Sequence, residues 1–230
     1  MRNLFCAVLI GLIAVPAAAQ ANERRVNVTG HASIERAPDM AVVSLGVTHE
    51  DKQATAALRQ TSDAAAAILS RLSELGVAKR DVQTSSVSLG PVWNKPDGGG
   101  PRVHWGYEAS NMITVRLRDM EMVGEALDTL VSDGANRLGN IRFTLQDNQE
   151  AMDEALRLAV RDARRKAALL ADAAGVTLGD AVSISESGGG SPRSDRMAPT
   201  MMRSGSVPIA AGEIEIEASV SMMFQLEQAE

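Results

Sequence analysis

Residues 147–175 have the sequence DNQEAMDEALRLAVRDARRKAALLADAAG, which carries the clearest helical pattern in the chain. Its apolar residues recur every three or four positions and form one stripe along an α-helix: Met152, Ala155, Leu156, Ala159, Val160, Ala163, Ala167, Leu170 and Ala174. Asp147 and Glu150 are spaced as a capping box, and Gly175 supplies the left-handed residue that commonly ends a helix. Because the stripe is rich in alanine, we expect it to pack at close range against the flat face of a β-sheet.

Segments with the pattern of β-strands lie before and after this helix in the sequence. Alternation of apolar and polar residues predicts half-buried strands at 25–34, 40–49, 82–89, 103–118, 141–145, 181–185 and 213–226. Helical spacing predicts two further helices, at 53–75 and 119–133, which end at Gly76 and Gly134. The chain is therefore predicted to be an α+β protein, with a largely antiparallel sheet and three main helices packed on one face.

The first 21 residues have the pattern of a cleavable secretory signal peptide. Arg2 precedes an apolar run, residues 4–15, that is too short to remain in a bilayer as a membrane span. The sequences Ala17-Ala18-Ala19 and Ala19-Gln20-Ala21 provide two alternative cleavage sites. We therefore expect a periplasmic protein, either free or associated with the envelope.

The mature chain, residues 22–230, is expected to form a single domain with mobile loops near 91–102 and 187–212. The one cysteine, Cys6, lies in the signal peptide, so no disulfide is expected after cleavage. The net charge of −6 is spread along the chain, which disfavours nucleic acid and anionic membranes as partners. No later segment is apolar enough to be a transmembrane helix.

No catalytic or cofactor motif emerges from the sequence. His31, His49 and His104 lie outside the spacings that zinc sites use, and no Gly-x-Ser-x-Gly motif occurs. The glycine runs 98–100 and 188–190 lack the lysine of a phosphate-binding loop. We therefore expect no enzyme activity, no metal and no cofactor.

Two groups of residues are candidates for contact with a partner. Trp93, Trp105 and Tyr107 flank the first loop and are expected to form an aromatic patch, either by local packing or as a contact surface. Met197, Met201 and Met202 lie in the second loop. Thioethers bind Cu(I) and are oxidised reversibly, although methionines also serve simply as adaptable apolar contacts.

Four residues have predicted structural roles. Asn111 falls on the apolar face of the fourth strand, where its amide must be hydrogen-bonded. We expect it to fix the neighbouring turn, with Asn136 as a candidate partner. Gly134 and Gly175 are expected to end their helices.

The chain also resembles the SIMPL-domain family. The resemblance rests on spaced motifs along the mature chain: Val28-Thr29-Gly30, Ala37-Pro38-Asp39, Asp81-Val82-Gln83-Thr84, Gly106-Tyr107-Glu108-Ala109-Ser110-Asn111, Val115, Asp119, Gly134-Ala135-Asn136 and Ala173-Ala174-Gly175-Val176. It implies an α+β fold, export and a tendency to self-associate. Members are mostly periplasmic or envelope-associated bacterial proteins, some immunogenic or linked to oxidative stress, and a eukaryotic relative is a signalling adaptor. The family supplies no catalytic residues.

These observations favour a non-catalytic, soluble envelope protein that acts by self-assembly or partner binding, in envelope or oxidative-stress defence. We expect a homo-oligomer, with an unidentified envelope protein as a further partner. The alternative is oxidant or copper handling through the loop that contains Met197, Met201 and Met202.

Overall fold

A computed structural model describes residues 24–94, 100–186 and 209–228 with their side chains, and residues 193–196 and 201–202 by their backbone. The signal peptide expected at residues 1–21 lies outside the described residues. The helices are α1 (Ala54–Glu74), α2 (Val123–Ser132) and α3 (Gln149–Ala173). The strands are β1 (Arg25–Arg36), β2 (Met40–Asp51), β3 (Val82–Asn94), β4 (Val103–Leu117), β5 (Arg137–Thr144), β6 (Val176–Glu186), β7 (Arg193–Arg196), β8 (Met201–Met202), β9 (Ile209–Ala210) and β10 (Glu213–Gln228).

The strands pair in antiparallel fashion, which confirms the α+β class. They form two larger sheets where the sequence led us to expect one. Sheet A has the order β1-β10-β6, with β7 also paired to β10, and sheet B has the order β3-β4-β2-β5. β8 and β9 pair with each other. The division follows from the pairing of β1 with β10, near the other end of the chain, rather than with β2.

Each sheet has its own helices and its own hydrophobic core, so the three helices do not share one sheet face. In sheet B, alternate residues of β2 and β4 are buried against α1 and α2, among them Val43, Val47, Ile113 and Val115. In sheet A, alternate residues of β1 and β10 are buried against α3. The predicted apolar face of β10 is confirmed, because Ile214, Ile216, Ala218, Val220, Met222 and Phe224 are all buried.

The contact between α3 and sheet A is made by alanine. Every fourth residue of the helix is buried: Ala151, Ala155, Ala159, Ala163, Ala167 and Ala171. Leu170, which we placed in the buried stripe, is 50% exposed. The row of every fourth residue is inclined to the helix axis, and the twisted sheet follows that row, so Leu170 lies beside the contact.

Short connections join the two sheets. The Asp39 N–H donates to the Thr144 carbonyl (3.2 Å), and the Gln146 N–H donates to Asp39 Oδ1 (2.7 Å). The side-chain amide of Gln146 also donates to the Asp39 carbonyl (3.0 Å). In the part of the chain with described side chains, no helix has the length and hydropathy to cross a bilayer.

Candidate contact surface on the β3–β4 hairpin

The hairpin of β3 and β4 exposes several large apolar side chains. The two strands pair from Val82 opposite Val115 to Asn94 opposite Val103. These exposed residues, which we call the hairpin surface, are Val87, Leu89, Trp93, Val103 and Trp105. Their exposed fractions range from 41% for Trp105 to 59% for Val87. Exposed large apolar side chains close together on a protein surface commonly mark a site of contact.

Two of the aromatic rings on the hairpin contact a histidine. The ring of His104 lies edge-on between Trp93, at a centroid distance of 5.3 Å, and Tyr107, at 5.0 Å. Sequence reasoning identified Trp93, Trp105 and Tyr107 but missed His104. A register shift after Val92 brings Trp93 opposite His104, and the sequence pattern does not reveal that shift. Trp93 is packed on one side and still 52% exposed, so it can also contact a partner.

Near its loop, the hairpin packs against the end of β2, just before α1. Gly106 is buried, and a Cβ atom at this position would lie 2.6 Å from the Asp51 carbonyl oxygen. Asp51 Oδ1 in turn accepts a hydrogen bond from the Gln53 N–H (2.9 Å) just before α1. Glu108 lies 3.7 Å from Arg137 on β5. These contacts give the hairpin surface a rigid support.

The outer edge of the hairpin is formed by β3, whose free side could pair with a further strand. Among the described strands, β3 pairs only with β4 and so forms an edge of sheet B. The sequence of β3, VQTSSVSLGPVWN, contains no charged residue. The other edge strands of the two large sheets carry charges that discourage edge-to-edge pairing: Arg25, Glu35 and Arg36 in β1, Arg137 and Arg142 in β5, and Asp180 and Glu186 in β6. Pro91 limits backbone pairing to the residues before it.

The asparagines lie next to β2 and in β4. Asn136 Oδ1 accepts from the Thr48 N–H and Asn136 Nδ2 donates to the Thr48 carbonyl, both at 2.8 Å. The side chain of Asn136 thus continues the pairing of β2 beyond the first residue of β5. Asn111 Oδ1 is buried without a hydrogen-bond partner among the described residues. The role of Asn111 in fixing a turn stays a prediction.

The two glycines have backbone angles suited to the end of a helix. Gly134 has φ of 107° and Gly175 has φ of 68°, a region that L-residues with a side chain rarely adopt. At the end of α2, the Gly134 N–H donates to the Val131 carbonyl and the Ala135 N–H donates to the Leu130 carbonyl. This geometry places Ala135 in the core and Asn136 beside Thr48.

The remaining candidates are not brought together into a site. Met197 lies outside the described residues, and Met201 and Met202 are described only as backbone in β8, so copper or oxidant handling stays a prediction. His49 Nδ1 lies 3.4 Å from Thr61 Oγ1 beneath α1. In the segments with described side chains, no group of three or more His, Cys, Asp or Glu side chains is placed to hold a metal ion.

Comparison with known proteins identifies the family. Residues 26–224 match the model of the SIMPL family, described as "Protein of unknown function (DUF541)". This chain belongs to the SIMPL family. The match begins in β1 and ends in β10, so it includes both sheets. The resemblance indicated by the sequence motifs is thereby confirmed.

Named SIMPL relatives cover almost the whole chain. A Brucella melitensis protein named "26 kDa periplasmic immunogenic protein" is 34% identical over 233 residues, which cover 95% of this chain and 93% of the relative. The Escherichia coli K12 protein "Uncharacterized protein YggE" is 26% identical over 220 residues, 91% of this chain and 88% of the relative. The first name places that relative in the periplasm, and neither name states an enzymatic activity.

Proposed function

We propose that this SIMPL protein is a non-catalytic periplasmic protein that assembles with further copies of itself through the edge of β3 and the hairpin surface. The observation that carries the proposal is the long, uncharged edge strand beside five exposed apolar side chains. The pattern of a signal peptide at residues 1–21 and the name of the Brucella relative support the periplasmic location.

A second copy is the partner that fits an unprotected edge strand most simply. Two β3 strands can pair antiparallel about a twofold axis, so that each copy presents the same residues to the other. Such pairing would satisfy those backbone N–H and C=O groups of residues 82–90 that point away from β4. It would also extend sheet B from four strands to eight across the two copies.

Burial of the hairpin surface would add an apolar contribution to this contact. The five side chains are about half exposed, and full burial of a large apolar side chain is worth about 1.5–3 kcal/mol. Their combined burial would therefore contribute on the order of 5 kcal/mol. This contribution would add to that of the backbone hydrogen bonds formed between the two β3 strands.

Native mass spectrometry of the mature protein, purified from the periplasm, tests the proposal. We expect a defined homo-oligomer with an even number of copies at micromolar concentration. Leu89→Lys, which places a charge on the uncharged strand, should dissociate it. Leu169→Lys is the matched control, because Leu169 is an exposed leucine on α3, which packs on sheet A rather than on sheet B, and it should leave the oligomer intact. A monomeric parent, or an oligomer indifferent to Leu89→Lys, would contradict the proposal.

A further inference from the structure

A pocket of about 300 Å³ lies where α1 and β4 end, beside the short 3-10 helix Lys79–Asp81. Its apolar lining comes from the connection after α1, the end of β4 and the residue before α2: Leu75, Val77, Leu117 and Met122. This volume is at the lower end of the range for small-molecule sites. The pocket is separate from the hairpin surface, because none of the five residues of that surface lines it.

Three arginines and two aspartates also line this pocket: Arg80, Arg116, Arg118, Asp81 and Asp119. One arginine is already neutralised, since Arg118 Nε and Nη2 donate to the two carboxylate oxygens of Asp81 at 2.8 and 2.7 Å. Only 3% of the Asp81 side chain is exposed. The hydrogen bonds from Arg118 hold the pKa of Asp81 below its ordinary value, so this carboxylate is ionised at neutral pH.

The other two arginines, Arg80 and Arg116, have guanidinium N–H groups that can still donate hydrogen bonds. Arg80 approaches Asp81 no closer than 3.9 Å, and its side chain is 80% exposed. Arg116 makes no hydrogen bond or ion pair with the described residues. Asp119 Oδ1 is engaged by the Glu121 N–H at 2.9 Å. The five groups sum to one positive charge, in a protein whose net charge is −6.

We propose that this pocket binds a small apolar carboxylate, of the class of medium-chain alkanoates. Guanidinium groups bind carboxylates through paired hydrogen bonds, and Arg80 and Arg116 are available to do so. The apolar lining would hold the alkyl chain and exclude water from it. The Asp81–Arg118 pair joins the end of β4 to the start of β3 in the wall of the pocket.

Titration with butanoate, hexanoate and octanoate, followed by amide NMR shifts of the mature protein, tests this assignment. Saturable shifts should appear at the lining residues, and affinity should rise about fourfold for each methylene buried. Octan-1-ol, which has the same chain and no charge, should bind at least tenfold more weakly than octanoate. If no saturable shifts appear up to about 10 mM octanoate, the proposal is overturned.

Variants at the two arginines separate this pocket from nonspecific binding. Arg80→Gln and Arg116→Gln should each weaken octanoate at least tenfold, and neither change removes the Asp81–Arg118 pair. Arg142→Gln is the matched control, because Arg142 is an exposed arginine on β5 outside the pocket, and it should bind octanoate like the parent. Equal binding by all three variants, or equal binding of octanol and octanoate, would overturn the proposal.

Discussion

Gly30 of β1 lies directly against Ala163 of α3. A Cβ atom on Gly30 would lie 2.8 Å from the Ala163 Cβ and 2.5 Å from its backbone nitrogen, and would also collide with the Ala159 carbonyl oxygen. The helix backbone therefore rests on the strand backbone, with no side chain of Gly30 between them. The alanine row of α3 permits this close approach, as the composition of the stripe predicted.

Substitution of Gly30 should separate the helix from the sheet. Gly30→Ala is expected to destabilise the protein by about 3 kcal/mol, because the added methyl group meets backbone atoms that cannot rotate away. Gly90→Ala in β3 is the control, since a Cβ atom there meets nothing within 4 Å. Urea denaturation of both variants checks this. Equal stability of the two would show that α3 does not lie on β1 as described.

Asn136 should contribute to stability through its contacts with the backbone of β2. Asn136→Ala removes two hydrogen bonds to Thr48 and should cost about 1–3 kcal/mol, because the N–H and C=O groups of Thr48 lose their partners. Asn140→Ala changes an exposed asparagine on β5 and should cost less than about 0.5 kcal/mol. Thermal unfolding followed by circular dichroism compares them. If Asn136→Ala is as stable as the parent, the side chain of Asn136 does not have the structural role proposed for it.

Asp162 should make stability depend on acidic pH. Hydrogen bonds from Lys166, Arg165 and the backbone N–H of His31 hold the pKa of its carboxyl well below the ordinary value. A lowered pKa in the folded state stabilises the protein above the unfolded-state value of about 3.9, and this contribution is lost as pH falls toward the native pKa. The stability of the parent should therefore fall between pH 5 and pH 2 more steeply than that of Asp162→Asn.

Denaturant midpoints measured across this pH range test the role of Asp162. Asp172→Asn, a change at an exposed aspartate on the same helix, should keep the pH dependence of the parent. If Asp162→Asn and the parent lose stability in parallel, the carboxylate does not join α3 to β1 in solution.

Local patterns in the sequence predicted which face of a strand or helix is buried better than they predicted which strands pair. Alternation in β10 identified the six residues that are buried beneath α3, because the period of a strand reports directly which side is apolar. The same pattern could not show that β1 pairs with β10. That pairing depends on contacts between the two ends of the chain, so the division into two sheets was missed. Leu170 was misplaced because spacings of three and four define two neighbouring rows on one helix.

The candidate site was predictable only in part. Trp93 and Tyr107 were found because aromatic residues are rare in this chain, at 3% of the sequence. His104 was missed, since its place between these rings depends on a register shift. The pocket where α1 and β4 end was not predicted from the sequence either. Arg80 and Arg116 are far apart in sequence, and both line this pocket because β3 pairs with β4.

Cysteine crosslinking between copies is the measurement that tests the pairing of β3 strands most directly. The mature chain expected here contains no cysteine, so single cysteines can be placed at Gln83, Thr84, Ser86 and Ser88 without background. Across a twofold axis, opposed residues of antiparallel strands have Cα atoms about 4.5–5.5 Å apart, within the range that a disulfide spans. We predict that the yield of oxidised dimer is highest for the cysteine nearest the axis. Asn140→Cys on β5 should give no dimer. Failure of every β3 cysteine to exceed the Asn140→Cys control would contradict self-assembly through this edge.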